Sequence, residues 1–181
     1  MYNRIVGTVI PARNEELCLP GVLDTACSLD WLNQIIVVDD CSTDRTLEIA
    51  RDYAHQYSRL SVIHLDSRSG KSRALLAGVT ALQDRVEDVI FMDADLISLK
   101  PSHIEEMYNP LGSCQCEMAV AVFRRGGIRT TAAQIATPNL SGQRCLRSSA
   151  AYRVLMLLEN SGYGIEIGLT MYALRNNWKV V

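Results

Sequence analysis

Five short apolar runs, IVGTVI, IIVVDD, LSVIHL, DVIFMD and EMAVAVF, recur along the chain, each rich in Val and Ile and nearly unbroken by polar residues. Strands buried on one face alternate apolar with polar, whereas continuous runs belong to strands covered on both faces, as in a mostly parallel sheet. The stretches between them have helical spacing. In TLEIARDYAHQY, Leu47, Ile49, Ala50, Tyr53 and Ala54 make a partly apolar face, and Ser42 or Thr43 is the expected N-cap. SRALLAGVTALQ carries Leu75, Leu76, Val79 and Leu82 in the same way. Strand followed by helix, repeated, predicts βαβ units and a three-layer α/β sandwich.

A chain of 181 residues, 48% of them hydrophobic, is long enough for one domain with a full core, so a single domain over residues 1–181 is expected. The closing NNWKVV reads as a strand that has just begun, which predicts a domain truncated at its C-terminus. A net charge of −2 with the two signs interspersed makes duplex nucleic acid a poor partner. Cys18, Cys27, Cys41, Cys114, Cys116 and Cys145 show neither a CxxC pair nor a Cys/His zinc spacing, so reduced thiols and a cytoplasmic protein are expected. No apolar run reaches transmembrane length, and MYNRIVGTVIP enters a strand without a leader peptide. The apolar MAVAVF strand leaves room for a homodimer.

Ligands of such sheets gather beyond the carboxyl ends of the strands. PARNEE follows the first run, DDCSTD the second, DSRSGKSR the third and DADLIS the fourth. Turn and cap chemistry explains any one of these loops, but four on one edge predict a binding site. Asp93 and Asp95, two apart on an extended segment, point the same way, and their hard oxygens suit Mg²⁺ or Mn²⁺. Such an ion keeps positions open for phosphates and neutralises the charge that develops as a diphosphate leaves. Lys71, after Gly70 in a polar loop, is a phosphate or carboxylate partner, and no Walker motif or GxGxxG offers another cradle. An Asp pair that closes a strand is common, so the DxD gains its weight from its neighbours. His64, inside SVIHL, is expected as a sheet histidine, and His55 and His103 as surface helix residues.

The segments VIPARNEE, IIVVDDCSTDRT, GKSRALLAG and FMDADLIS resemble the successive signatures of the family two type of nucleotide-sugar glycosyltransferases. That resemblance implies the GT-A fold, a Rossmann-like sandwich with a mostly parallel central sheet. It also implies that Pro11, Ala12, Arg13, Asn14, Glu15, Asp40 and Ser42 bind the nucleotide, with Lys71, Asp93 and Ala94 at the rest of the donor, a UDP-sugar. Asp95 is then the metal ligand, and Asp93, Asp95 and Glu166 form the catalytic set. Cys41 stands where the family usually has Gly; a thiol fits there unless φ is positive, which would strain it.

In the second half, RRGGIRTTAAQ, PNLSGQRCLR and GYGIEIGL are similar to parts of the glucosyl- and mannosyl-3-phosphoglycerate synthase family. The similarity implies an acceptor site of Gly127, Arg129, Thr131, Gly142 and Arg144, with Glu166 at the donor sugar. Related sequences that act on lipid-phosphate acceptors carry a like turn and Glu, and would put the protein at the cytosolic face of a membrane. In inverting members that acidic residue is the general base. The residues alone also allow plainer roles: GGIRTT as an ordinary loop, Arg144 in a structural ion pair, Glu166 favoured by a helix N-terminus. Two other classes match in part. A receiver-like phosphate-sensing module pairs acids after its first strand, whereas Asp39 and Asp40 follow the second. A phosphatase with Asp93 as nucleophile carries its DxD after the first strand, whereas here it follows the fourth.

Overall fold

The structure, a computed structural model, describes residues 3–121, 142–158 and 164–181. Strand and helix alternate as predicted through β1 (Val6–Ala12), α1 (Leu19–Cys27), β2 (Leu32–Asp39), α2 (Thr46–Gln56), β3 (Leu60–His64), α3 (Lys71–Leu82), β4 (Asp88–Phe91), α4 (Pro101–Gly112) and β5 (Met118–Val120). β6 (Arg144–Arg147), α5 (Ser148–Leu158) and α6 (Ile165–Arg175) follow. The six strands form one sheet in the order β3-β2-β1-β4-β6-β5. β1, β2, β3 and β4 pair in parallel, and β6 runs against both of its neighbours, β4 and β5. From β1 the chain moves outward through β2 and β3, then returns to lay β4 on the other side of β1. A switch point of this kind opens a crevice at the carboxyl ends of β1 and β4.

Continuous apolar strands are explained by the two layers they separate. Val6, Ile10, Ile35 and Val37 face Leu19, Leu23, Ala50 and Tyr108 of α1, α2 and α4. Val9, Ile36 and Val38 face Leu75 and Val79 of α3, in a cluster that also takes in Val154 of α5 and Leu169 of α6. Gly78 of α3 lies against β1, where a Cβ would collide with the Val9 side chain and come within 3.2 Å of Val38. The helix therefore sits closer to the sheet than any side chain at that position permits.

One local expectation is revised. The N-cap of α2 is Arg45 and makes no side-chain cap bond; instead Asp44 Oδ1 accepts the Thr46 amide at 3.0 Å. Ser42 and Thr43 are turned toward Asn14 of the first loop, so they tie loop to loop instead of capping the helix. NNWKVV does join the sheet: Val180 bridges Met118 in parallel and the Val181 carbonyl accepts the Val120 amide at 2.8 Å.

The far end of the sheet, at the start of β4, is closed by a buried carboxylate. Asp88 accepts from Arg4 Nε at 2.7 Å, Arg147 Nη1 at 2.7 Å and Tyr108 Oη at 2.8 Å. One anion thus joins the lead into β1 with β4, β6 and α4. All six cysteines are free thiols, and no helix among the described residues is long and apolar enough to cross a membrane.

Candidate active site

Each of the four parallel strands delivers its polar loop to the same edge. There Pro11, Arg13, Glu15, Asp40, Arg68, Lys71, Asp93 and Asp95 line a cleft of about 330 Å³. A larger depression of about 910 Å³ opens beside Arg4, Glu87 and Arg147 at the opposite end of the sheet. There Arg4 and Arg147 are already paired to Asp88, and none of the predicted site residues lines it, so the smaller cleft is the candidate site.

The first two loops hold each other in place. Asn14, at φ 56°, donates its amide to Ser42 Oγ at 3.0 Å and accepts the Thr43 amide on Oδ1 at 2.8 Å. The Glu15 amide bonds Thr46 Oγ1 at 2.8 Å. Asp40 is buried and accepts the amides of Ser69 and Gly70, at 2.6 and 2.9 Å. Gly70, at φ 85°, supplies the left-handed turn into α3 that brings Lys71 to the cleft. Cys41 also has a positive φ, 56°, so the condition under which the thiol is strained is met. His64 is a sheet residue as expected, its Nδ1 2.8 Å from Asp39 Oδ2.

Charge is gathered around one ammonium. Lys71 Nζ lies 2.6 Å from Asp93 Oδ1 and 2.8 Å from Glu166 Oε1, so the fourth strand and the first turn of α6 meet on one cation. Burial works against both charges. The Asp93 charge and the Asp93 and Glu166 hydrogen bonds nevertheless raise the Lys71 pKa, and the Lys71 hydrogen bond and charge hold Glu166 below its ordinary value. On the other side of the cleft, burial and then the charges of Asp95, Asp44 and Asp93 raise the Glu15 pKa. That side of the cleft is electronegative and favours a cation.

Asp95 is exposed at the cleft, whereas Asp93 is engaged by Lys71 and by Gln143 Nε2 at 2.6 Å. Among the described residues no group of three or more His, Cys, Asp or Glu side chains could hold a metal ion. One hard carboxylate, Asp95, would fit Mg²⁺ or Mn²⁺ together with phosphate oxygens and water.

Ala12 and Ala94 are buried in the cleft wall. Gly142 packs on the Lys71–Asp93 pair so closely that a Cβ would strike both. Arg144 is in β6 but points into the protein at 1% exposure, with Nη1 3.1 Å from Thr170 Oγ1, and burial lowers its pKa to about 10. Gly127, Arg129 and Thr131 lie outside the described residues. Sequence reasoning missed Arg68 and Gln143. Arg68 carried a signal, since it stands in the same polar loop as Lys71, and Gln143 sits in the SGQR turn without a charge to draw notice.

Known proteins share this architecture. The model of the family described as glycosyl transferase family 2 matches residues 8–168. The glucosyl-3-phosphoglycerate synthase of Mycobacterium tuberculosis (strain CDC 1551 / Oshkosh) is 30% identical over 196 residues, which takes in 92% of this chain and 60% of that protein. The dolichyl-phosphate beta-glucosyltransferase of Homo sapiens is 31% identical over 133 residues, or 66% of this chain and 40% of that one. A crystal structure of the M. tuberculosis synthase with Mn²⁺, UDP-glucose and phosphoglyceric acid superposes with a TM-score of 0.73 at 25% identity, over 96% of this chain and 66% of that one. The chain thus spans 40% to 66% of the length of these relatives.

Proposed function

Since the chain belongs to glycosyl transferase family 2, we propose that it moves a sugar from a nucleoside diphosphate, a UDP-sugar, to an acceptor hydroxyl. The observation that carries this reading is the meeting of Lys71, Asp93 and Glu166 beside an exposed Asp95 at the switch point of the sheet. The first two loops, braced through Asn14 and Ser42, form the wall for the nucleotide, with Pro11, Arg13, Glu15 and Asp40 along it. A divalent cation at Asp95, Mg²⁺ or Mn²⁺, supplies Lewis-acid neutralisation of the departing diphosphate. Lys71 adds a fixed positive charge in the same place, and because it is already ordered by two carboxylates it needs little rearrangement to meet a phosphate. Glu166, kept ionised by Lys71, is in the form that steadies positive charge at the donor sugar or takes the proton of the acceptor hydroxyl.

For the acceptor, the relative that takes in 92% of this chain is a glucosyl-3-phosphoglycerate synthase by name, which favours a phosphorylated small molecule. The dolichyl-phosphate relatives support a lipid phosphate as the second reading, with the protein working at a cytosolic membrane face. Gly127, Arg129, Thr131 and Gly142 are the proposed acceptor set in either case, whereas Arg144, expected there from the sequence, is buried against Thr170 and is left out of it.

The test is calorimetric titration of UDP, UDP-glucose and GDP-mannose in the presence of Mn²⁺ and then of EDTA. The expected outcome is UDP-selective binding that EDTA removes and that Asp95→Ala abolishes. Unchanged UDP affinity in that variant would overturn the assignment. With donor binding established, 3-phosphoglycerate and a short-chain polyprenyl phosphate compared as acceptors separate the two readings.

A further inference from the structure

Gln143 is uncharged, yet only 6% of it is exposed and its Nε2 donates to Asp93 Oδ2 at 2.6 Å. β6 runs antiparallel to β4 with Phe91 opposite Arg144, so continuing that register by one step sets Gln143 across from Met92, and by two steps Gly142 across from Asp93. The start of β6 is thus aimed at the DxD. We propose that Gln143 is a positioning residue that locks the Asp93 carboxylate onto Lys71 and leaves Asp95 alone to receive the cation, an inference that rests on the donor-site reading.

Among the described residues, Lys71, Gln143 and Gly142 hold Asp93. Lys71 Nζ faces Oδ1 at 2.6 Å, the Gln143 amide faces Oδ2, and the backbone at Gly142 presses so close that a Cβ there would collide with Oδ2. A carboxylate has about four lone-pair directions; two now point at hydrogens and the packed backbone restricts rotation toward the rest. The ammonium beside Oδ1 also repels a second cation. Without the amide, Oδ2 has a lone pair open to a cation at Asp95, and the two carboxylates, which line the same cleft, then share a hard cation. In that state the protein holds the metal without needing the diphosphate. Gln143 therefore serves to make cation binding depend on the donor, since a site with one carboxylate is completed by phosphate oxygens.

The experiment follows free Mn²⁺ by electron paramagnetic resonance, with and without UDP, in the wild-type chain and in Gln143→Met and Gln143→Leu. Both side chains fill the space without a donor, and urea unfolding identifies which of them is folded. The expected result is weak Mn²⁺ binding by the wild type that UDP strengthens, with Mn²⁺ affinity in the absence of UDP rising about tenfold in a folded variant. Since coupling is reciprocal, the strengthening by UDP falls by a similar factor. A folded variant whose Mn²⁺ affinity without UDP is unchanged or weaker overturns the role given to Gln143 and leaves the donor site standing. Failure of the wild type to bind UDP with Mn²⁺ overturns both.

Discussion

Lys71 is the residue on which the site turns, because its ammonium joins Asp93 to Glu166. Replacing it with methionine keeps the stem and removes the charge. Two carboxylates then face each other in partly buried positions, and burial, no longer outweighed, moves Glu166 upward from the lowered value it has beside Lys71. A carboxyl with a lowered pKa contributes stability above its ordinary value of 4.5 that is lost as pH falls through the folded value. Lys71, with its pKa raised, contributes stability that is full below its ordinary 10.5 and lost as pH rises through the folded value. The wild-type advantage over Lys71→Met should accordingly be largest near neutral pH and shrink on acidification. Side-chain exposures of 34% and 22% reduce the expected difference at neutral pH to about 1–2 kcal/mol, below that of a fully buried pair. Urea unfolding at neutral pH and at about pH 4 checks this, and a difference independent of pH would mean that the ion pair does not carry it. UDP binding with Mn²⁺ should weaken at least about tenfold, as expected for loss of a charged hydrogen-bonding group.

At the scale of elements, the placement of Lys71 depends on how closely α3 approaches β1. Gly78→Ala should cost about 1–3 kcal/mol by overpacking against Val9 and Val38, and since α3 begins at Lys71 the outward shift should also lower UDP affinity. An unchanged urea midpoint would mean that the contact has slack. The same packing explains what the sequence made legible. Strands covered on both faces must be continuously apolar, so β1 to β4 stood out as Val and Ile runs, and their polar ends marked the donor side of the cleft. β6 was not legible, because RCLR has an arginine at each end. The structure buries Arg144 under α6 and pairs Arg147 with Asp88, contacts between residues far apart in sequence. α1 was obscured by Pro20 and Gly21, although Pro fits its first turn, and α4 by Pro110 near its end. Gln143 was missed for a related reason: its importance lies in the antiparallel register of β6 on β4, which no local pattern encodes.

Across the whole molecule, the two ends of the sheet have different work. The carboxyl ends of the parallel strands gather charge around an open cleft, while the other end neutralises Asp88 against Arg4, Arg147 and Tyr108 and closes the core. From Asp88 to Asp93 is five residues of extended chain, roughly 17 Å, beyond the Debye length at physiological salt. Asp88→Ala leaves two guanidinium groups and a buried phenol without their common partner and should destabilise the fold by about 3–5 kcal/mol. UDP affinity of the folded fraction should stay within about twofold of wild type, because that cluster lies at the opposite end of the sheet from the cleft. Urea unfolding together with calorimetry at low temperature checks both halves. A folded Asp88→Ala protein that had lost UDP binding would move the nucleotide to the depression beside Arg4 and Arg147, against the switch-point site. Retained affinity on a weakened fold would instead establish that the sheet carries its binding chemistry and its structural ion cluster at opposite ends, each able to vary without the other.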